Sequence, residues 1–171
     1  SHPYRQKTAE NAHQLPIILS VGDTTYLDYK KIIAKTEEYG PIGKGGNGLI
    51  LHSSLAINPE NGQPIGLLWE KLWSRERGKK KPKTRSFAEK ESYRWVEALD
   101  EVEQLFNPTE DKALMSPKII HVFDREGDIA EVFEKVNETA NTGLVVRAAH
   151  NRAISQTPTY LWEEVTSKPV Q

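Results

Sequence analysis

Two aspartates follow apolar segments of the sequence, at positions where they could bind a metal ion together. Asp23 follows Leu15–Val21 and Gly22, and Asp124 follows Lys118–Phe123. Both segments are short and rich in β-branched residues, which predicts buried strands. If the strands are neighbours in one sheet, both carboxylates lie near the sheet edge where α/β proteins build their sites. Carboxylates so close repel each other unless a cation lies between them.

Hard oxygen ligands of this kind suit Mg²⁺ or Mn²⁺, whose remaining positions are filled by water and substrate phosphate. Two such ions roughly 4 Å apart can activate a nucleophile and stabilise the leaving oxygen in phosphoryl transfer. The alternative is structural, because an Asp after a strand commonly caps a helix or forms a turn. The residue pattern alone leaves both interpretations open.

The elements that must position the two aspartates alternate between strands and helices. We interpret residues 1–14 as a linker or helix remnant and 15–171 as one domain. The glycine-rich segment Pro41–Gly48 is predicted to be a loop. The order predicts an α/β fold, a ribonuclease-H-like mixed sheet with helices on its faces and an incomplete C-terminus. The predicted strands are Leu15–Val21, Leu49–Ile57, Ile65–Trp73, Lys118–Phe123 and Gly143–Ala149, the second and third forming a hairpin around a turn at Asn58–Pro64. The predicted helices are about Phe87 to Phe106, a helix that Asp128 caps and that runs through Asn137, and a short one at Leu161–Thr166. The first of these helices has a capping box of Ser86 and Glu89 and one apolar stripe, formed by Trp95, Leu99, Val102 and Phe106.

Composition excludes several classes of protein. The chain has 171 residues, a net charge of −1 and no cysteine, so disulfide frameworks, cysteine-ligated zinc and thiol catalysis are ruled out. No apolar run approaches the roughly 20 residues of a membrane span, and the first residues lack the apolar core of a signal peptide. We therefore expect no membrane partner and a cytoplasmic location.

Three short strings resemble the DDE cut-and-paste transposases of bacterial insertion sequences. The first is D-T-T at Asp23–Thr25, the second is K-E-S-Y-R-W at Lys90–Trp95, and the third is D-R-E-G-D at Asp124–Asp128. D-T-T alone is weak, whereas D-R-E-x-D after an apolar strand is fairly specific. The resemblance extends from about Leu15 to about Arg152.

The resemblance implies a role for each aspartate and a reaction. Asp23 and Asp124 would be the first two catalytic, metal-binding residues, holding Mg²⁺ or Mn²⁺ for DNA strand cleavage and strand transfer. The third member of such triads is a Glu in a Tyr-Arg-Glu-Lys signature on a later helix. Tyr93, Arg94 and Glu97 imitate that signature but precede the second Asp and have the wrong spacing. We therefore expect the chain to be a catalytic-domain fragment of a nucleoid-associated bacterial protein, inactive by itself, with a homodimer expected of the full-length protein.

Basic residues supply candidate contacts to double-stranded DNA, both transposon ends and target. Seven of the twelve residues at 74–85 are Lys or Arg, which suits contacts to phosphates, although such runs are often only solvated. Arg125 could contact a phosphate or hold the Asp124 carboxylate. The candidate DNA-binding residues are Lys79, Lys80, Lys81, Lys83, Arg85, Arg125, Arg147, His150 and Arg152.

The remaining polar residues have structural interpretations. Glu126 is either an orienting partner of the metal site or a solvated side chain. Asp128 is expected in the first turn of a helix. His52 and His121 lie in predicted strands and are expected in the core. A rival function is a non-catalytic DNA-binding or assembly fragment of a degenerate transposase, and another is a metal-dependent nuclease of the same fold.

Overall fold

One six-stranded mixed sheet organises the part of the chain that the computed structural model describes, which is residues 3–29, 39–78, 86–106, 116–154 and 159–169. Strand β1 lies between β3, to which it is antiparallel, and β5, to which it is parallel. Strand β6 continues the parallel side, while β2 and β4 both pair with β3. The α/β class with a partly parallel sheet is therefore confirmed. The elements are α1 (Pro3–Ala12), β1 (Ile17–Asp28), β2 (Gly40–Gly43), β3 (Gly46–Ile57), β4 (Pro64–Trp73), α2 (Arg94–Phe106), β5 (Lys118–Phe123), α3 (Ala130–Glu138), β6 (Thr142–Val146) and α4 (Leu161–Thr166), with single 3₁₀ turns at Phe87–Glu89, Glu91–Tyr93 and Arg125–Gly127.

The first strand is longer than its apolar sequence predicts. We expected it to end at Asp23, but β1 continues to Asp28. Its pairing with β5 does end at Gly22, whereas its antiparallel pairing with β3 runs on as far as Asp28 opposite Gly48. The prediction that Asp23 ends a strand is therefore wrong, although Asp23 does lie just beyond the parallel contact.

The glycine-rich segment at 41–48 is not the loop that its composition predicted. It contributes β2 and the start of β3, joined by a tight turn in which Lys44 has φ 47° and Gly45 has φ 74°. Positive φ at both central residues is the conformation of the two-residue turns that match the twist of a hairpin. The glycines thus shape a β-turn at the sheet edge.

Helix α2 begins later than its capping signal suggested. The Ser86 amide donates to Glu89 Oε2 at 2.9 Å, but this contact begins a single 3₁₀ turn. Lys90 is extended, with φ −85° and ψ 147°, so the regular helix begins only at Arg94. The predicted apolar stripe is confirmed, since all four of its members are buried: Trp95, Leu99, Val102 and Phe106.

The core lies between α2 and one face of the sheet, with α1 against β4. Ala9 and Ala12 of α1 are buried, and Arg5 of the same helix donates to the Leu68 carbonyl at 2.6 Å. A second group of buried residues, Trp95, Leu99, Phe123 and Val132, joins α2 to β5 and α3. Of the helices in the described ranges, none combines the length and apolar character required to cross a membrane.

Candidate metal centre

Strand register places Asp23 and Asp124 side by side. In the parallel pairing of β1 with β5, the last matched residues are Gly22 and Phe123. Asp23 and Asp124 are the next residue of each chain segment. Because neighbouring strands lie roughly 4.8 Å apart, the two aspartates leave adjoining positions of the sheet.

The two aspartates also share one face of the sheet. Gly22 and Phe123 face α2, because a Cβ added to Gly22 would lie 2.8 Å from the Phe123 ring and 3.4 Å from the Trp95 ring. Side chains alternate along extended backbone, and Asp124, although it lies just beyond β5, is still extended with φ −75° and ψ −174°. The residue after Gly22 and the residue after Phe123 therefore both face away from α2. We call this face, which carries Asp23 and Asp124, the carboxylate side, and the face covered by α2 the helix side.

Most of the carboxylate oxygens are available for a ligand. Asp23 is exposed, and its carboxylate makes no hydrogen bond or ion pair with any described residue. Asp124 is also exposed, and its Oδ1 accepts a hydrogen bond from the Glu126 amide at 2.8 Å, which caps the 3₁₀ turn Arg125–Gly127. The contact holds Asp124 in one orientation while Oδ2 has no partner among the described residues.

This donor set fits a hard divalent cation that keeps much of its water. Mg²⁺ is bound in many sites by one or two carboxylates, with water and substrate phosphate as the other ligands. The described residues contain no cluster of three or more His, Cys, Asp or Glu side chains that could hold a metal. Asp23 and Asp124 can therefore supply two carboxylates here and no more.

A buried arginine lies behind the carboxylate pair, on the helix side. Arg94 is only 9% exposed and is the first residue of α2. Its Nε donates to Thr24 Oγ1 at 3.2 Å, and its Nη2 donates to Glu126 Oε2 at 2.5 Å. Its Nη1 donates to the Glu91 carbonyl at 2.8 Å. One guanidinium group thus joins Thr24, the residue after Asp23, to Glu126, whose amide donates to Asp124.

Aromatic rings and a buried histidine complete this network. The Arg94 guanidinium lies 5.4 Å from the ring centre of Trp95 and 5.9 Å from that of Trp73. The Thr24 hydroxyl also shares a 2.8 Å hydrogen bond with Nδ1 of His52. Burial, assisted by the positive charge of Arg94, lowers the pKa of His52 to about 3. His52 is therefore neutral near pH 7, as a core histidine was expected to be.

The other aspartate of the D-R-E-G-D string is committed to the fold. Asp128 is 2% exposed, and it accepts hydrogen bonds from the amides of Ala149 at 2.6 Å and His150 at 3.2 Å. Its carboxylate is also ion-paired with Arg152, whose guanidinium lies over the ring of Phe133. Burial alone would raise the pKa of Asp128, but the bonds from Arg152 and the two amides outweigh it and lower the pKa.

Asp128 therefore does not occupy the first turn of a helix, as we had expected. The residue that caps α3 is Ile129, and Asp128 instead ties the segment after β5 to the segment after β6. Helix α3 begins at Ala130, later than the helix that Asp128 was expected to cap.

The candidate DNA-binding residues lie in different surroundings. Arg125 is exposed, and its guanidinium has no hydrogen bond or ion pair with a described residue, so it does not hold the Asp124 carboxylate. Arg147 and His150 are exposed as well, in the segment that follows β6. Arg152 is engaged by Asp128. The other five candidates lie outside the described residues: Lys79, Lys80, Lys81, Lys83 and Arg85.

Sequence reasoning missed the role of Arg94 and left that of Glu126 open. The partners of Arg94 are 70 and 32 positions away in the chain, so no local spacing could reveal the contact. The one available signal was an arginine beside a predicted core tryptophan, where a charged side chain needs buried partners. A scan of the chain against known protein families finds no match.

Proposed function

We propose that this chain carries two of the acidic residues of a metal-dependent phosphoryl-transfer site in a DDE transposase catalytic domain. The observation that carries the proposal is the register of β1 and β5, which leaves Asp23 and Asp124 on adjoining positions and one face of the sheet. The two residues are 101 positions apart in the sequence, so a local turn cannot account for their being neighbours.

The strand order supports a ribonuclease-H-like fold for the domain. The order is β4-β3-β1-β5-β6, with three antiparallel strands followed by two parallel strands reached through helices α2 and α3. The succession of strands and helices predicted from the sequence suggested the same pattern of three antiparallel strands followed by strands joined through helices. In this order β1, which contains Asp23, is the neighbour of β5, which Asp124 directly follows.

The residues of the chain would act as follows. Asp23 and Asp124 would hold Mg²⁺ or Mn²⁺ through exposed oxygens, and the Glu126 amide would keep Asp124 oriented. The metal, when bound, lowers the barrier to phosphoryl transfer by stabilising charge on the attacking and leaving oxygens. Arg125 and Arg147, both exposed in the segments that follow β5 and β6, would contact DNA phosphates without reading sequence.

Metal binding by the chain itself is the direct test. We would titrate Mn²⁺ into the isotope-labelled chain and follow the paramagnetic broadening of its amide resonances. The expected result is selective broadening at residues 22–25 and 123–127, because both segments lie at the pair. The double variant Asp23→Asn/Asp124→Asn should abolish it, while Glu134→Gln, which alters an exposed carboxylate of α3, should leave it unchanged.

Broadening that is spread over the acidic surface, or that survives in the double variant, would contradict the assignment. The reaction is tested on the full-length gene product with DNA carrying the inverted repeats that flank the gene. Asp23→Asn or Asp124→Asn should abolish strand cleavage and leave DNA binding largely intact. Unchanged cleavage would remove both residues from the reaction.

A non-catalytic role in DNA binding or assembly is the alternative, because the described residues offer two carboxylates and not three. The coding sequence downstream of Gln171 separates the two functions. A Tyr-Arg-Glu-Lys string on a predicted helix favours the transposase. A stop codon directly after Gln171 favours the alternative.

A further inference from the structure

We infer that Arg94 is a positioning residue of the proposed metal site, setting the separation of the two carboxylates from the opposite face of the sheet. This inference rests on the proposed function. Arg94 contacts neither carboxylate, and the two carboxylates do not need it as a ligand in order to bind a metal ion.

The segments that carry the two aspartates are joined to each other only where β1 and β5 pair. Pairing ends at Gly22 and Phe123, and beyond it each segment turns to its own neighbours. Asp23 continues along β3, while Asp124 enters a 3₁₀ turn. A contact beyond this point is therefore needed to fix the distance between the segments.

Arg94 makes that contact to both sides. Its guanidinium donates to Thr24, the residue after Asp23, and to Glu126, whose amide holds Asp124 Oδ1. A guanidinium is planar and carries its donors in a rigid fork, so it fixes the directions of two partners at once. The Glu91 carbonyl and the flanking tryptophan rings hold the group itself in place.

Partners of this outer kind control the affinity of a metal site. Their removal typically lowers metal affinity about 10- to 100-fold, because the ligands are no longer preoriented. A lysine at position 94 keeps the positive charge but is a point charge on a flexible stem, and it cannot span Thr24 and Glu126 as the fork does.

The experiment measures the Mn²⁺ midpoint of amide broadening in wild type and in Arg94→Lys. We expect the midpoint to rise about tenfold in the variant. The matched control is Arg5→Lys, which alters another largely buried arginine bonded to a backbone carbonyl and a carboxylate, Leu68 and Glu101. Its midpoint should stay within about twofold of wild type.

A second pair of variants keeps the inference testable if Arg94→Lys does not fold. Thr24→Val removes the hydroxyl that Arg94 contacts, whereas Thr24→Ser retains it. The valine variant should weaken Mn²⁺ binding and the serine variant should not. Free energies of unfolding, measured by urea titration, separate this effect from a general loss of stability, because Arg5→Lys loses stability without losing affinity.

The outcomes distinguish the inference from the proposed function. If wild type shows no selective broadening at the pair, the proposed function fails. If wild type binds Mn²⁺ there and both Arg94→Lys and Thr24→Val bind it equally well, the proposed function stands and the positioning role of Arg94 is wrong.

Discussion

Asp124 and Asp128 belong to one five-residue segment, yet their carboxylates are used in opposite ways. Asp124 is exposed and accepts one backbone hydrogen bond. Asp128 is buried, accepts two backbone hydrogen bonds and is paired with Arg152. A buried carboxylate must be satisfied by its surroundings, whereas an exposed one is satisfied by water and can exchange that water for a cation.

The same contrast extends across the sheet at this end of β1. On the helix side, Thr24, His52 and Arg94 form a hydrogen-bonded network against the ring of Trp95. On the carboxylate side, the side chain of Asp23 has no partner among the described residues. The strand ends therefore combine a hydrogen-bonded network on the helix side with two available carboxylates on the other face, so stability and metal binding depend on different residues.

The largest expected effect comes from the buried aspartate. Asp128→Asn removes the charge that compensates Arg152 and places an amide NH₂ near backbone donors, so we expect a loss of about 3 kcal/mol in the free energy of unfolding. Urea unfolding measures it. The matched variant Asp124→Asn, four residues away, should change the free energy far less. Equal losses in the two variants would contradict the contrast between them.

Acid should destabilise the protein through the buried histidines of the helix side. His52 has its pKa lowered to about 3, so below its unfolded pKa near 6.5 the unfolded chain binds a proton that the folded chain refuses. Stability is therefore constant above pH 7 and falls between pH 6.5 and 3. Between pH 7 and 5, His52 alone should lower the free energy of unfolding by about 2 kcal/mol.

Burial also lowers the pKa of His121, despite the opposing hydrogen bond to Glu103, so it acts in the same direction. Asp128, with its lowered pKa, loses its contribution only below about pH 4. The check is the unfolding free energy of wild type and of His52→Asn at pH 7 and pH 5. The loss on acidification should be smaller in the variant. An unchanged loss would show that His52 is not the group responsible.

A smaller loss is expected from crowding the helix side next to Asp23. In Gly22→Ala the new Cβ would lie 2.8 Å from the rigid Phe123 ring, so we expect a loss of about 1.5 kcal/mol. Gly143→Ala is the control, because its Cβ would meet the flexible end of Ile120 at the same 2.8 Å distance. Thermal unfolding should rank Gly22→Ala as the less stable variant, and the reverse ranking would mean that the Phe123 ring can move aside.

Local patterns predicted the elements whose formation depends on local residues. The bounds of β5 and α4 agree with the sequence prediction residue for residue, because each is a short segment with a clear apolar pattern. The extension of β1 to Asp28 depends on pairing with Gly48, and the strand at Gly40–Gly43 depends on the same region of β3. The pairing of these segments with β3 cannot be predicted from their own residues.

The candidate site divides in the same way. Asp23 and Asp124 could be selected from the sequence because each follows an apolar strand. That Asp124 is exposed and Asp128 is buried could not be predicted, since Asp128 is buried by residues that follow β6, more than twenty positions later. The role of Arg94 likewise depends on contacts with two distant segments.

The smallest expected change in the free energy of unfolding comes from the carboxylate side of the sheet. Without metal, Asp23→Asn and Asp124→Asn should each change the free energy of unfolding by less than about 0.5 kcal/mol, because both side chains are exposed and an Asn oxygen can still accept the Glu126 amide. Each substitution also relieves repulsion between like charges. Saturating Mn²⁺ should then stabilise wild type against urea and leave both variants unchanged. A large loss of stability in either variant without metal would mean that these carboxylates hold the fold together, as Asp128 does.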